Sequence, residues 1–164
     1  MKKIYIFAAA LFTGFFLIGC LNSSAARAQT EAASNFKLQD MEGNTVELSD
    51  YSGKVILLNF FATWCSPCRE ELPDFNEIQE EYKKGVKVIA VHMGREGKTH
   101  LQNFARANNL DFTIVMDDGK VSKLYGPITG IPVTVIIDKK FKISKRYIGR
   151  RKKEIFVKDI EALL

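Results

Sequence analysis

From about Asn35 onward the chain switches repeatedly between two hydrophobic rhythms. Phe36-Lys37-Leu38 and Val46-Glu47-Leu48 alternate apolar with polar residues around a turn at Glu42-Gly43-Asn44, the pattern of a β-hairpin. Val55-Ile56-Leu57-Leu58-Asn59-Phe60-Phe61 is nearly unbroken, which predicts a strand buried on both faces. Leu72, Phe75, Ile78 and Tyr82 then recur at spacings of three and four and predict a helix over 66–84, kinked at Pro73 and stopped by Gly85. Val86 to Val91 reads as a second buried strand, and Thr99 to Asn109 as a helix with Leu101, Phe104 and Ala105 on its apolar face. A short strand over 112–115, a helical turn over 121–125 and two strands over 133–137 and 141–148 follow, the last two joined by Asp138-Lys139-Lys140. An amphipathic helix over 153–164 closes the chain. Strands alternating with helices predict an α/β domain whose central sheet is mixed: a parallel core, with antiparallel strands added by the late hairpin.

The beginning of the chain follows a different pattern. Met1-Lys2-Lys3 precedes an uncharged apolar run from Ile4 to Ile18, about 15 residues and short of the roughly 20 that cross a bilayer core. A basic start and a short apolar run form the layout of a secretory signal. Leu17-Ile18-Gly19-Cys20 looks like a bacterial lipobox, in which Cys20 is lipidated and becomes the new N-terminus. Ala26-Arg27-Ala28 also fits an ordinary signal-peptidase site, and an uncleaved anchor is the third reading. All three export the domain. Residues 1–19 are thus expected to be a signal peptide of the lipoprotein type, 20–34 a flexible Ala/Ser/Asn-rich tether, and 35–164 a single domain.

Composition narrows the choice further. With 46% apolar and 26% charged residues the chain is ordinary globular protein. A net charge of +5, from 24 Lys and Arg against 19 Asp and Glu, is too slight to argue for nucleic acid. Three cysteines are too few for a disulfide-stapled scaffold, and their odd number sets one apart.

Two of them carry the candidate chemistry. Trp64-Cys65-Ser66-Pro67-Cys68 stands where the buried strand meets the first long helix. Cysteines three apart at a helix start can close a disulfide within one turn. The first sits where unpaired backbone N–H groups and the helix dipole favour an anion. Thiolate is the reactive form, so Cys65 is the expected attacking sulfur and Cys68, deeper in, the resolving one. Zinc would need four ligands, and His92 and His100 lack the spacing. Copper held by the pair, or a purely structural disulfide, stays open on these residues alone. His92 and His100 read as surface or strand-end residues, and Arg150-Arg151-Lys152-Lys153 as a solvated turn, with contact to anionic lipid headgroups as the alternative.

Trp-Cys-Ser-Pro-Cys after an apolar strand resembles the thioredoxin superfamily, and Asn59 to Cys65 resembles its TlpA/ResA-type, membrane-tethered thiol-disulfide oxidoreductases. Asn35 to Leu38, with Leu48-Ser49-Asp50 through Gly53-Lys54, is similar to that family's extra N-terminal β-hairpin. The resemblance covers 35–164 and implies a thioredoxin-like fold. It implies a cis-proline facing the cysteines at Pro132, preceded by Ile131, whose backbone pairs with an extended substrate; otherwise Pro132 is an ordinary strand-start proline. Where ordinary thioredoxins carry a buried Asp this chain has Asn59, and the resemblance assigns the proton-moving carboxylate to Glu71 instead, against its plain reading as a solvated helix charge beside Glu70. It makes Ser66 and Pro67 tuners of the redox potential and places Trp64 beside the site, as substrate contact and core residue together. Peroxiredoxins share the hairpin but use Thr-x-x-Cys, which Thr63-Trp64-Cys65 does not match. The implied activity is reduction of protein disulfides, with apocytochrome c as substrate, a membrane thiol transporter as electron donor, a lipid anchor, and no cofactor beyond Cys65 and Cys68. A general oxidant or isomerase, and a non-enzymatic copper-binding maturation factor, are the competing functions.

Overall fold

The computed structural model describes residues 31–164. The leader over 1–19, Cys20 and the tether as far as residue 30 lie outside the described residues. The fold grows from one strand, β3 (Val55–Phe61), in which all seven residues are buried. It is the middle of a five-stranded sheet of order β5-β4-β3-β6-β7. β4 (Val86–His92) and β5 (Thr113–Met116) run parallel to it, and β6 (Val133–Ile137) and β7 (Ile143–Ile148) antiparallel to their neighbours. The parallel core and antiparallel late hairpin expected from the sequence are both present.

Successive residues of a strand point to opposite faces, so β3 feeds two cores. Val55, Leu57 and Phe61 pack on one face with α1 (Ser66–Glu81), α2 (Lys98–Ala107) and α4 (Lys153–Glu161). Phe75 of α1 stacks against Phe156 of α4 at 5.4 Å between ring centroids. Ile56, Leu58 and Phe60 pack on the other face. There they meet Phe36, the hairpin formed by β1 (Lys37–Gln39) and β2 (Thr45–Glu47), a 3-10 turn over Leu48–Tyr51, and α3 (Val121–Leu124). The extra hairpin is therefore a lid over the second face, bridged to β5 through Asp40 and Val115.

Several boundaries shift for identifiable reasons. Residues 31–34, expected within the flexible tether, join the fold. The Ile143 amide donates to the Glu31 carbonyl (2.7 Å), the Ala33 amide to the Phe141 carbonyl (2.9 Å), and the Tyr125 hydroxyl to the Ser34 carbonyl (2.7 Å). Backbone pairing beside an edge strand needs no apolar periodicity, so composition carries no trace of it. Phe141, expected in a strand, has φ +64° and belongs to the turn. The Asp138 carboxylate accepts from the amides of Lys140 and Lys142 there, and the strand starts at Ile143. α1 runs on through Pro73 and ends at Glu81, with Tyr82 closing its last turn rather than Lys84. Among the described residues no helix is long and apolar enough to cross a membrane.

Phe156 ties α4 to α1, which carries the cysteines. Phe156→Ala is expected to cost about 3–5 kcal/mol of stability, read as a lower urea midpoint with the Cys65–Cys68 disulfide still formed.

Candidate active site

β3 ends at Phe61, and the next residues turn directly into α1, with Cys65 as its N-cap. Extended backbone at Cys65 (φ −81°, ψ 105°) lets its sulfur accept the Cys68 amide at 3.3 Å. Pro67 occupies the first helical turn, where the missing N–H leaves no bond unmade. Cys65 and Cys68 are joined by a disulfide of 2.07 Å with their Cα atoms 5.3 Å apart. The same amide and the helix dipole would stabilise a thiolate on Cys65 once the bond is reduced. Cys68 is the deeper of the two, although Cys65 is itself only 5% exposed.

The opposite wall is the loop before β6. The Ile131–Pro132 bond is cis, and the Ile131 carbonyl oxygen lies 3.8 Å from the Cys65 sulfur. Gly149 at the end of β7 donates to the Pro132 carbonyl at 2.8 Å and fixes that loop. Beneath it, the Asn59 amide group donates to Thr134 Oγ1 at 2.9 Å and to the Val133 carbonyl at 3.4 Å, so Asn59 is a neutral clasp between β3 and β6.

Glu71 lies one helical turn beyond Cys68 and is fully buried. The solvated reading is therefore wrong, and Glu70 alone takes the surface position, paired with Arg150 at 3.0 Å. Oε1 of Glu71 accepts the backbone N–H of Arg151, and Oε2 is buried without a partner. Burial pushes the Glu71 pKa from 4.5 to about 7. The Arg151 amide and the Arg150 charge oppose that rise, and Asp74 adds to it.

Three other expectations change. Arg150 to Lys153 is not merely a solvated turn. Arg150 and Lys153 engage Glu70 and Glu77 of α1, the Arg151 guanidinium lies over the Tyr147 ring, and the Arg151 backbone reaches Glu71. Sequence reasoning missed this cover because a main-chain donor has no residue signature. Trp64 is 69% exposed and no part of the core; its ring rises beside a cleft of about 520 Å³ that Met93, Gly94, Arg95 and Glu96 also line. His92 ends β4 as expected but is buried, 5.4 Å from the Phe61 ring, whereas His100 is exposed. A larger hollow of about 650 Å³ between Met41, Gln102, Arg106 and Leu110 holds no redox group.

The chain as a whole is similar to known proteins. The AhpC/TSA family model matches residues 30–146. The thiol-disulfide oxidoreductase ResA of Geobacillus thermodenitrificans is 40% identical over 133 residues, 80% of this chain and 75% of that one. The chain belongs to the AhpC/TSA family, as a thioredoxin-like thiol-disulfide oxidoreductase. A Chlorobium tepidum structure assigned as the thiol:disulfide interchange protein DsbE superposes with TM-score 0.76 at 34% identity, covering 82% of this chain and 96% of that one. The exposed lipoprotein thioredoxin Etrx1 of Streptococcus pneumoniae superposes with TM-score 0.71 at 29% identity, covering 79% and 100%.

In this oxidoreductase the buried acid has a cost that depends on pH. A carboxyl whose pKa rises on folding binds more protons in the native state, so its contribution to stability falls as pH climbs from 4.5 through about 7. A shift of that size corresponds to about 3 kcal/mol at most. Glu71→Gln keeps an acceptor for the Arg151 amide. It is expected to stabilise the oxidised protein above neutral pH and to lose that advantage progressively towards pH 4.5. Urea unfolding across this range checks it, and a pH-independent difference would contradict it.

Proposed function

We propose that this protein is an extracytoplasmic reductase of protein disulfides. The observation that carries the reading is the placement of Cys65, the more exposed cysteine of the pair, as N-cap of α1 and 3.8 Å from the Ile131 carbonyl. In the reduced protein the Cys65 thiolate attacks one sulfur of a substrate disulfide. A mixed disulfide forms, and the first substrate sulfur leaves and takes up a proton. Cys68 then gives its proton to the Glu71 carboxylate and attacks the Cys65 sulfur. That step releases the second substrate thiol, leaves Cys65 and Cys68 oxidised, and passes two electrons to the substrate. Glu71 suits the task because burial puts its pKa near neutrality, where it both accepts and returns a proton. No cofactor beyond the Cys65–Cys68 pair is required.

The surroundings favour a polypeptide substrate. The backbone of Ile131 and Pro132 borders the cysteines as a strand edge would. Trp64 beside Cys65 and Ile148 paired with Val133 stand 69% and 68% exposed, offering apolar contact to a docked chain. Apocytochrome c, with a Cys-x-x-Cys-His segment to be kept reduced before haem attachment, is the substrate we favour, and a membrane thiol transporter is the donor that restores the dithiol. The signal-like leader ending at Cys20 supports attachment to the outer side of a bacterial membrane through lipid on that cysteine, and a structural relative is itself described as an exposed lipoprotein.

Cys65→Ser is expected to reduce disulfide reduction to background, whereas Cys68→Ser accumulates mixed disulfides that identify the substrate in the native envelope. Full activity of Cys65→Ser would overturn the mechanism. Equilibration with glutathione decides the direction: a potential near the about −270 mV of thioredoxin supports a reductant, and one near about −120 mV, typical of a strong periplasmic oxidant, refutes it. Cys20→Ala is expected to move the protein from the membrane to the soluble fraction and to abolish labelling by radioactive fatty acid. Unchanged labelling would remove Cys20 as the anchor.

A further inference from the structure

A second titratable cluster lies at the end of β4, on the same helical face of the sheet as Glu71, and the mechanism above does not use it. His92 ends β4 and is 1% exposed. Its Nε2 stands 3.5 Å from Oε2 of Glu96, and both atoms are buried without a hydrogen-bond partner. The other oxygen, Oε1, accepts the hydroxyl of Thr63 at 3.0 Å. Thr63 is buried in the turn between β3 and α1, immediately before Trp64 and Cys65.

The backbone is shaped around this cluster. A Cβ on Gly94 would fall 1.9 Å from Glu96 Oε2 and 2.6 Å from His92 Nε2. Only glycine lets the loop after β4 fold the carboxylate back over the imidazole. The Phe61 ring packs against His92, and the Met93 amide donates to the Phe61 carbonyl at 2.8 Å, holding that loop to the end of β3. The groups that can influence His92 are Glu96 on its own loop, His100 on α2, and Asp117 after β5, whose amide donates to the His92 carbonyl at 3.0 Å.

Two buried atoms that face each other unpaired are expensive, and a single proton between them satisfies both. We propose that His92 and Glu96 share one proton, and that Thr63 couples its presence to the position of the Trp64–Cys65 turn. The redox site then has two proton-linked elements: Glu71, covered by the segment after β7, and the His92–Glu96 pair at the end of β4. Burial lowers the His92 pKa, and the Glu96 carboxylate partly offsets this, so the proton is taken up on the acid side of the ordinary histidine range. Below that point His92 and Glu96 form an ion pair with every facing atom satisfied, and Glu96 also keeps its bond to Thr63. Above it Oε2 loses its partner, and the carboxylate is held by Thr63 and by its own backbone N–H. His92, Glu96 and Thr63 are thus positioning residues. Their bearing on catalysis rests on Cys65 being the attacking sulfur, but their geometry does not.

Trp64 is the sole tryptophan of the chain, so its fluorescence reports directly on the turn. The experiment uses the oxidised protein, in which Cys65 and Cys68 do not titrate, and follows Trp64 emission beside the NMR signals of the His92 ring as pH falls. Both are expected to inflect together on the acid side of about 6.5. The Trp64 inflection is lost in His92→Asn and retained in Glu71→Gln. Glu96→Gln moves the His92 titration further to acid, and Thr63→Val leaves His92 titrating while Trp64 emission goes flat. If His92→Asn does not fold, the Glu96 and Thr63 variants decide on the same two signals. Trp64 emission that stays flat through the His92 titration, follows Glu71 instead, or is unmoved by Thr63→Val overturns the proposal. No turnover is measured, so such a failure leaves the reductase reading intact. An inactive potential or substrate assay, conversely, leaves the proton-sharing pair intact.

Discussion

Everything in this protein hangs on the burial of β3 from both sides. A strand covered on both faces must be apolar throughout, must have parallel or antiparallel partners on each edge, and needs helices above and the hairpin with α3 below. Those demands fix the sheet order and leave the carboxyl end of the strand as the place where polar chemistry can emerge. There the chain passes within four residues from Phe61, fully buried, to Cys65, a helix N-cap. The redox sulfur is held by the rigid strand behind it and the helix dipole ahead of it.

The same scaffold sorts the ionisable groups by their distance from water. Glu70 and Glu71 are neighbours on one helix, yet Glu70 faces solvent and pairs with Arg150, while Glu71 points inward and keeps one oxygen bare. A single step of about 100° around a helix separates an ordinary surface carboxylate from one that titrates near neutrality. At the end of β4, His92 and Glu96 repeat the theme with a different pair of residues and a glycine that makes the contact sterically feasible.

Much of this was legible in the sequence because it rests on runs and spacings. The unbroken Val55–Phe61 segment announces the central strand, the Trp64–Cys68 motif marks the junction, and Ile131-Pro132 before an apolar strand fits the facing loop that the family resemblance implies. What escaped depends on contacts between distant backbone groups or on direction alone. The cover on Glu71 comes from an amide 80 residues away. The attachment of residues 31–34 is main-chain pairing in a stretch whose composition suggests a tether. Trp64 is apolar by type, and only the turn geometry shows that its ring stands outside. His92 sits at a strand end, where one residue of register separates burial from exposure, and Gly94 gives no hint in the sequence of the space it clears.

The bond from the Arg151 amide to Glu71 is made by the chain itself and not by the arginine side chain. Every amino acid except proline supplies that donor. Selection can therefore preserve the proton site while the side chain at 151 drifts in size and charge, so the trait is inherited as a path of the backbone between β7 and α4. Related chains with this path can differ widely there in residue type and still hold the buried acid in the same way. A comparison of side chains alone would overlook the group that holds it.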